Sequence, residues 1–265
     1  MTRALRAFPS LLRTGFAELV AYRAEVVIWI LTASMPVIML LVWDRVAEGG
    51  PVGRFDQEGF ARYFSATLVV RQLTSAWIIW ELNDMIRTGT LSAALLKPMH
   101  PLVFPAAESL ASMPIRVVVL VPLLLLIWLW RPGMGVHLTL DHAPLLAASI
   151  AMAWATNYLV QCTVGALAFW VDQSVGIYNV WFGLWSLFSG YLLPIELLPA
   201  GFAEAAHWLP FRAMLGVPVE IVAGMLRGAD ALGAMALQGA WLLVAWLVLR
   251  LVWARGLRRY GAFGA

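Results

Sequence analysis

The stretch IRVVVLVPLLLLIWLW, residues 115–130, decides the fold. A surface helix of a soluble domain keeps one polar face, and this run keeps almost none, so its natural solvent is hydrocarbon. Five further apolar stretches accompany it, at 26–43, 63–80, 145–171, 175–193 and 232–253, most near the roughly 20 residues that a crossing helix needs. Pro36 and Pro122 fall inside these stretches, where neighbouring helices can satisfy a freed carbonyl. Of the 265 residues 62% are hydrophobic and 12% charged, against about 25% charged in soluble domains. One core cannot bury that much apolar side chain, and the excess must face lipid or another chain. The expected fold is all-α and integral to the membrane, with six transmembrane helices.

The charges orient these helices. Arg3, Arg6, Arg13 and Arg23 precede the first stretch, Arg255, Arg258 and Arg259 follow the last, and Arg87 and Lys97 lie between the second and third. An even number of crossings with basic ends places both termini in the cytoplasm of a cell with a cytoplasmic (inner) membrane. The 44–62 connection is then external; Arg45, Arg54 and Arg62 there are balanced by Asp44, Glu48, Asp56 and Glu58. Over 1–22, Leu5, Phe8, Leu12, Phe16 and Leu19 recur at helical spacing opposite Arg6, Ser10 and Arg13, the pattern of an interfacial amphipathic helix. Pro9, Arg13 and Glu18 interrupt any apolar core of a cleavable signal. The segment 194–230 contains apolar pieces too short to cross, punctuated by prolines 199, 210 and 218, and reads as re-entrant half-helices on the outer face. The chain is thus expected to be one membrane domain over 1–265.

Most chemistry is excluded. Lys97 is the only lysine and no phosphate-binding Gly-x4-Gly-Lys-Ser/Thr run occurs, so nucleotide hydrolysis cannot use that device here. His100, His137, His142 and His207 form no ligand cluster on a helix face, and Cys162 stands alone as a small packing residue. No basic face with interleaved stacking aromatics suggests nucleic acid. Glu25, Glu81, Asp84, Glu108 and Asp172 lie near expected cytoplasmic ends, where they anchor the surface better than they relay protons. Arg71 is the exception. It falls near the middle of the second stretch, where a cation costs about 2.5–3.5 kcal/mol, so it must face protein or water, as a translocation-path or subunit-interface residue. Asn157 and Gln161, about one helical turn apart on one face, are the polar residues expected to join it.

Two motifs carry a family resemblance. IRTGTLSAALLKPMHP, residues 86–101, resembles the cytoplasmic segment by which ABC type-2 permeases enter the cleft of their ATPase subunit. Thr90 is placed to cap a two-turn helix that Pro98 ends, with Leu91, Leu95 and Leu96 as its apolar contact. FSGYLLPIELLP, residues 188–199, followed by LPF at 209–211, is similar to the series these permeases carry between spans five and six. The resemblance implies a coupling segment over 84–105 using Arg87, Gly89, Leu91, Leu95, Lys97 and Pro98, and an external motif of Ser189, Gly190, Pro194, Pro199, Pro210 and Phe211. It also implies a separate ABC ATPase subunit that holds ATP and Mg, a second permease copy or paralogue, no cofactor on this chain, and export by alternating access. A subunit of a membrane enzyme complex and an ion-coupled secondary transporter are the competing readings; scarce acid, base and nucleophile groups count against the first, and the lack of paired broken helices against the second.

Overall fold

The computed structural model describes residues 23–130 and 143–260, with side chains from residue 34 onward. The expected interfacial helix over 1–22 and the histidines at 137 and 142 lie outside the described residues. Among those described, every element is helical apart from one isolated bridge between Val52 and Phe55. In chain order the helices are α1 (Arg23–Ala47), α2 (Gln57–Thr74), α3 (Ile78–Arg87), α4 (Leu91–Leu95), α5 (Val103–Ala111), α6 (Met113–Trp130) and α7 (Ala143–Ala166). After a 3-10 turn at Leu167–Phe169 come α8 (Val175–Phe188), a second 3-10 turn at Ile195–Leu197, and α9 (Ala200–Trp208). A π-helical turn, Arg212–Gly216, then runs into α10 (Val217–Val222), and α11 (Gly228–Tyr260) completes the chain.

Three described segments are long and apolar enough to cross a membrane: Val103–Trp130, which joins α5 and α6, Ala143–Phe169 and Gly228–Tyr260. The stretch expected as one span over 63–80 is instead broken. α2 stops at Thr74, residues 75–77 leave helical geometry with Ser75 extended at φ −64° and ψ 137°, and α3 resumes at Ile78. No proline or glycine stands at the break. Side chains from other helices take the carbonyls it releases, as hydrocarbon requires of any unwound backbone. The stretch over 175–193 also departs from expectation: α8 has 14 residues, about 21 Å of helix, before the chain turns at Gly190.

The α2–α3 break separates two apolar clusters. On one side Phe60, Phe64, Leu68 and Val70 of α2 pack with Leu40 of α1, Leu120 of α6 and Leu215 and Val219 of the 212–222 helix. On the other, Ile78, Leu82 and Ile86 of α3 pack with Leu91, Tyr158 and Cys162, and with Leu249 and Trp253 of α11. α7 and α11 run parallel, Ser149 meeting Gln238 near their starts and Cys162 sharing a cluster with Trp253 near their ends. The 3-10 turn after α7 meets α11 closely: a Cβ on Gly256 would come within 2.0 Å of the Phe169 ring.

Candidate functional site

The site grows from the α2–α3 break. The Ser75 carbonyl accepts from Arg116 Nη1 at 2.7 Å, and the Ala76 carbonyl accepts from Gln161 Nε2 at 2.7 Å. Arg116, not among the residues singled out from the sequence, is 3% exposed at the head of α6. Its signal was an arginine inside an otherwise apolar run. One turn before the break, Arg71 donates from Nη1 to the Ser75 hydroxyl at 2.6 Å, and that hydroxyl donates back to the Arg71 carbonyl at 2.7 Å. The guanidinium lies over the ring of Trp185 at 5.2 Å and near that of Tyr191 at 5.9 Å. Aromatic faces thus offset part of the cost of a desolvated cation.

Asn157 and Gln161 do share a face of α7, and both are buried. Each caps a different break: Gln161 that of α2, and Asn157, through Nδ2, the Met214 carbonyl of the π turn at 2.9 Å. Gln238 of α11 donates to the neighbouring Ala213 carbonyl at 2.9 Å. A π turn leaves carbonyls misaligned with their helical donors, and these amides supply the missing partners. Arg71, Asn157 and Gln161 meet with Val160, Met214 and the α8 side chains Tyr178, Trp181, Phe182 and Trp185 around one narrow cleft. The four aromatics follow i, i+3, i+4, i+7 spacing and so form one stripe of α8. That stripe was legible in the sequence but hidden among 14 tryptophans.

At the end of the bundle formed by residues 84–105, the helix expected to present Leu91 and Leu95 together has a different structure. Leu91 is 0% exposed, packed inside the chain with Ile86 and Trp253, so it is an internal anchor and not a contact surface. Leu95 is partly exposed and Leu96 is 89% exposed. Thr90 provides no cap; its backbone is already helical, and its hydroxyl pairs with that of Thr88 at 3.1 Å. α4 has five residues, not two turns, and follows Gly89, whose φ of +79° turns the chain. Arg87, Gly89, Lys97 and Pro98 are exposed around it. The Tyr260 hydroxyl at the end of α11 donates to the Gly89 carbonyl at 2.8 Å and lies 3.1 Å from the Ser92 hydroxyl. Burial lowers the pKa of His100, whose ring lies 5.1 Å from that of Trp253.

The opposite end is built by 194–227. Gly190 turns the chain at φ +87° under the Tyr63 hydroxyl, which donates to its carbonyl at 2.8 Å; a Cβ there would meet that oxygen at 2.3 Å. Ser189 is fully buried beside it. Pro194 and Pro199 precede the second 3-10 turn and α9, and Pro210 opens the helix that contains the π turn. Phe211 docks between Trp181 and Phe188 of α8, at 4.8 and 6.2 Å. Arg212 and Glu220 form a bidentate pair at 3.0 and 2.6 Å across the π turn. Burial raises the pKa of Glu196, opposed by the Arg54 guanidinium that pairs with it.

The family model for ABC-2 family transporter protein matches residues 58–264, which include the break, the cleft and both end segments. The chain belongs to this family of membrane permeases. No curated protein matches it.

Proposed function

We propose that the chain is the transmembrane subunit of an ATP-driven exporter in the cytoplasmic membrane, energised by a separate ABC ATPase and paired with a second permease copy or paralogue. The observation that carries this reading is the α2–α3 helix, broken beside Arg71 and held by side chains of α6 and α7. Unwound backbone at membrane depth is tolerated only where it is buried in protein or lines a cavity, which supports a path beside Arg71, and the membership of the ABC-2 family gives that path its energy source. Six crossings are proposed, by α1, α2 with α3, α5 with α6, α7, α8 with the turn after it, and α11. Both termini and 84–105 then face the cytoplasm, and 194–230 dips into the outer leaflet. ATP and Mg belong to the partner, since this sequence has no phosphate loop. Leu91 fixes α4 to α3 and α11, so a push on α4 moves those helices as one body.

The contact offered to the ATPase is Leu96 with Leu95, not Leu91. Replacing Leu95 and Leu96 by Asp should strip the ATPase from the complex during detergent purification and abolish substrate-stimulated hydrolysis, with the permease itself still folded. Leu91→Asp should instead unfold this end of the chain. A doubly substituted complex that remains intact and fully coupled would remove 84–105 from the role.

A further inference from the structure

We infer that the Arg71 cleft recognises an anionic oxygen group, such as a carboxylate or phosphate, carried on an apolar or aromatic body. This deepens the transport reading and rests on it. Among the described residues Arg71 makes no ion pair; its hydrogen-bond partners, the hydroxyls of Ser75 and Tyr191, are both neutral. Four buried polar atoms on residues lining the cleft have no hydrogen-bond partner: Arg71 Nε, Trp181 Nε1, Trp185 Nε1 and Gln161 Oε1. Three of them are N–H donors, indole and guanidinium groups that can never accept, and one is an acceptor. Unmet buried donors are uncommon in folded proteins, and several around a single cation define a site short of acceptors and of negative charge. Of the rest of the lining, Asn157 gives its amide to the Met214 and Ala153 carbonyls, and Val160, Tyr178, Phe182 and Met214 are apolar, aromatic or adaptable.

As it stands the cleft has room for about one water molecule. One water brings no charge and leaves the guanidinium unopposed; an oxyanion pairs with Arg71 and keeps lone pairs to accept from other donors of the lining. Entry requires the cleft to widen. Widening falls to α8, a short helix bounded by turns at Ser174 and Gly190 whose hydrogen bonds to Asn83 and Tyr63 would act as its pivots.

The test uses the full chain in phosphatidylcholine nanodiscs, with 2-naphthoate, its methyl ester and 2-naphthylmethylamine measured by equilibrium dialysis. The acid should bind about tenfold or more tighter than the ester, and the amine more weakly than either. Arg71→Gln should erase that preference, bringing the acid down to the affinity of the ester. Should Arg71→Gln fail to fold, Trp181→Phe and Trp185→Phe, which keep the ring and remove the N–H, should each narrow the gap between acid and ester several-fold. Equal binding of acid and ester, or an acid preference untouched by all three substitutions, overturns the inference. Repeating the titration with part of the lipid replaced by phosphatidylglycerol tells the source: competition identifies a lipid headgroup, and its absence a separate amphiphile. The measurement needs neither ATP nor partner, so it can fail while the ATPase still co-purifies, and it can succeed when the ATPase does not.

Discussion

Asn157 and Gln161 stand one turn apart on α7, and each gives its amide to a carbonyl that a neighbouring broken helix cannot use. Removing either amide leaves a buried acceptor unpaired, at about 1–3 kcal/mol. Asn157→Leu and Gln161→Leu should therefore both lower the thermal unfolding midpoint of the detergent-solubilised chain, whereas Thr163→Val, whose hydroxyl only returns to its own helix at Leu159, should barely move it. Unchanged midpoints for both amide variants would mean that the breaks are held by something else. The sequence placed these two amides on one face and Arg71 in mid-span, because helical periodicity and insertion cost are local properties. It could not name their partners. Which carbonyl is orphaned depends on where another helix breaks, and neither residue carries that information.

At the level of elements, the break in α2–α3 was invisible for a related reason. Residues 75–77 are Ser, Ala and Trp, with no proline or glycine to mark a break, and the groups that stabilise the unwound backbone, Arg116 and Gln161, lie on α6 and α7. The short helices of 194–230 were legible, since their prolines and short apolar runs are local signals. The burial of Leu91 was not, because a five-residue helix has too little periodicity to say which of its leucines faces inward. If 194–230 faces outward as proposed, single cysteines at the exposed positions Glu204 and Asp230, on a Cys162→Ala background, should both react with an impermeant maleimide applied to intact cells. Reaction of the Asp230 cysteine only after permeabilisation would demand a different topology.

For the whole molecule, composition was decisive for solvent and class, because it sums over every residue and needs no contact map. The joins between distant parts were beyond it, and α11 makes two of them. Within this helix of 33 residues, Gln238, about three turns from its start, bonds to the π turn, and Tyr260 at its end bonds to Gly89, two anchors about 33 Å apart. Tyr260→Phe, which keeps the ring and loses the hydroxyl, should leave ATPase binding intact yet lower the transport obtained per ATP hydrolysed in proteoliposomes; an unchanged ratio would show that this tether transmits nothing. The tether bears on leakage. A pump working against a gradient short-circuits whenever both of its doors stand open together, and two independently hinged doors will sometimes do so. In the exporter proposed above, a single stiff strut fastened to the π turn and to Gly89 would make movements at the two faces one event, and so would also help keep the cell sealed during every cycle.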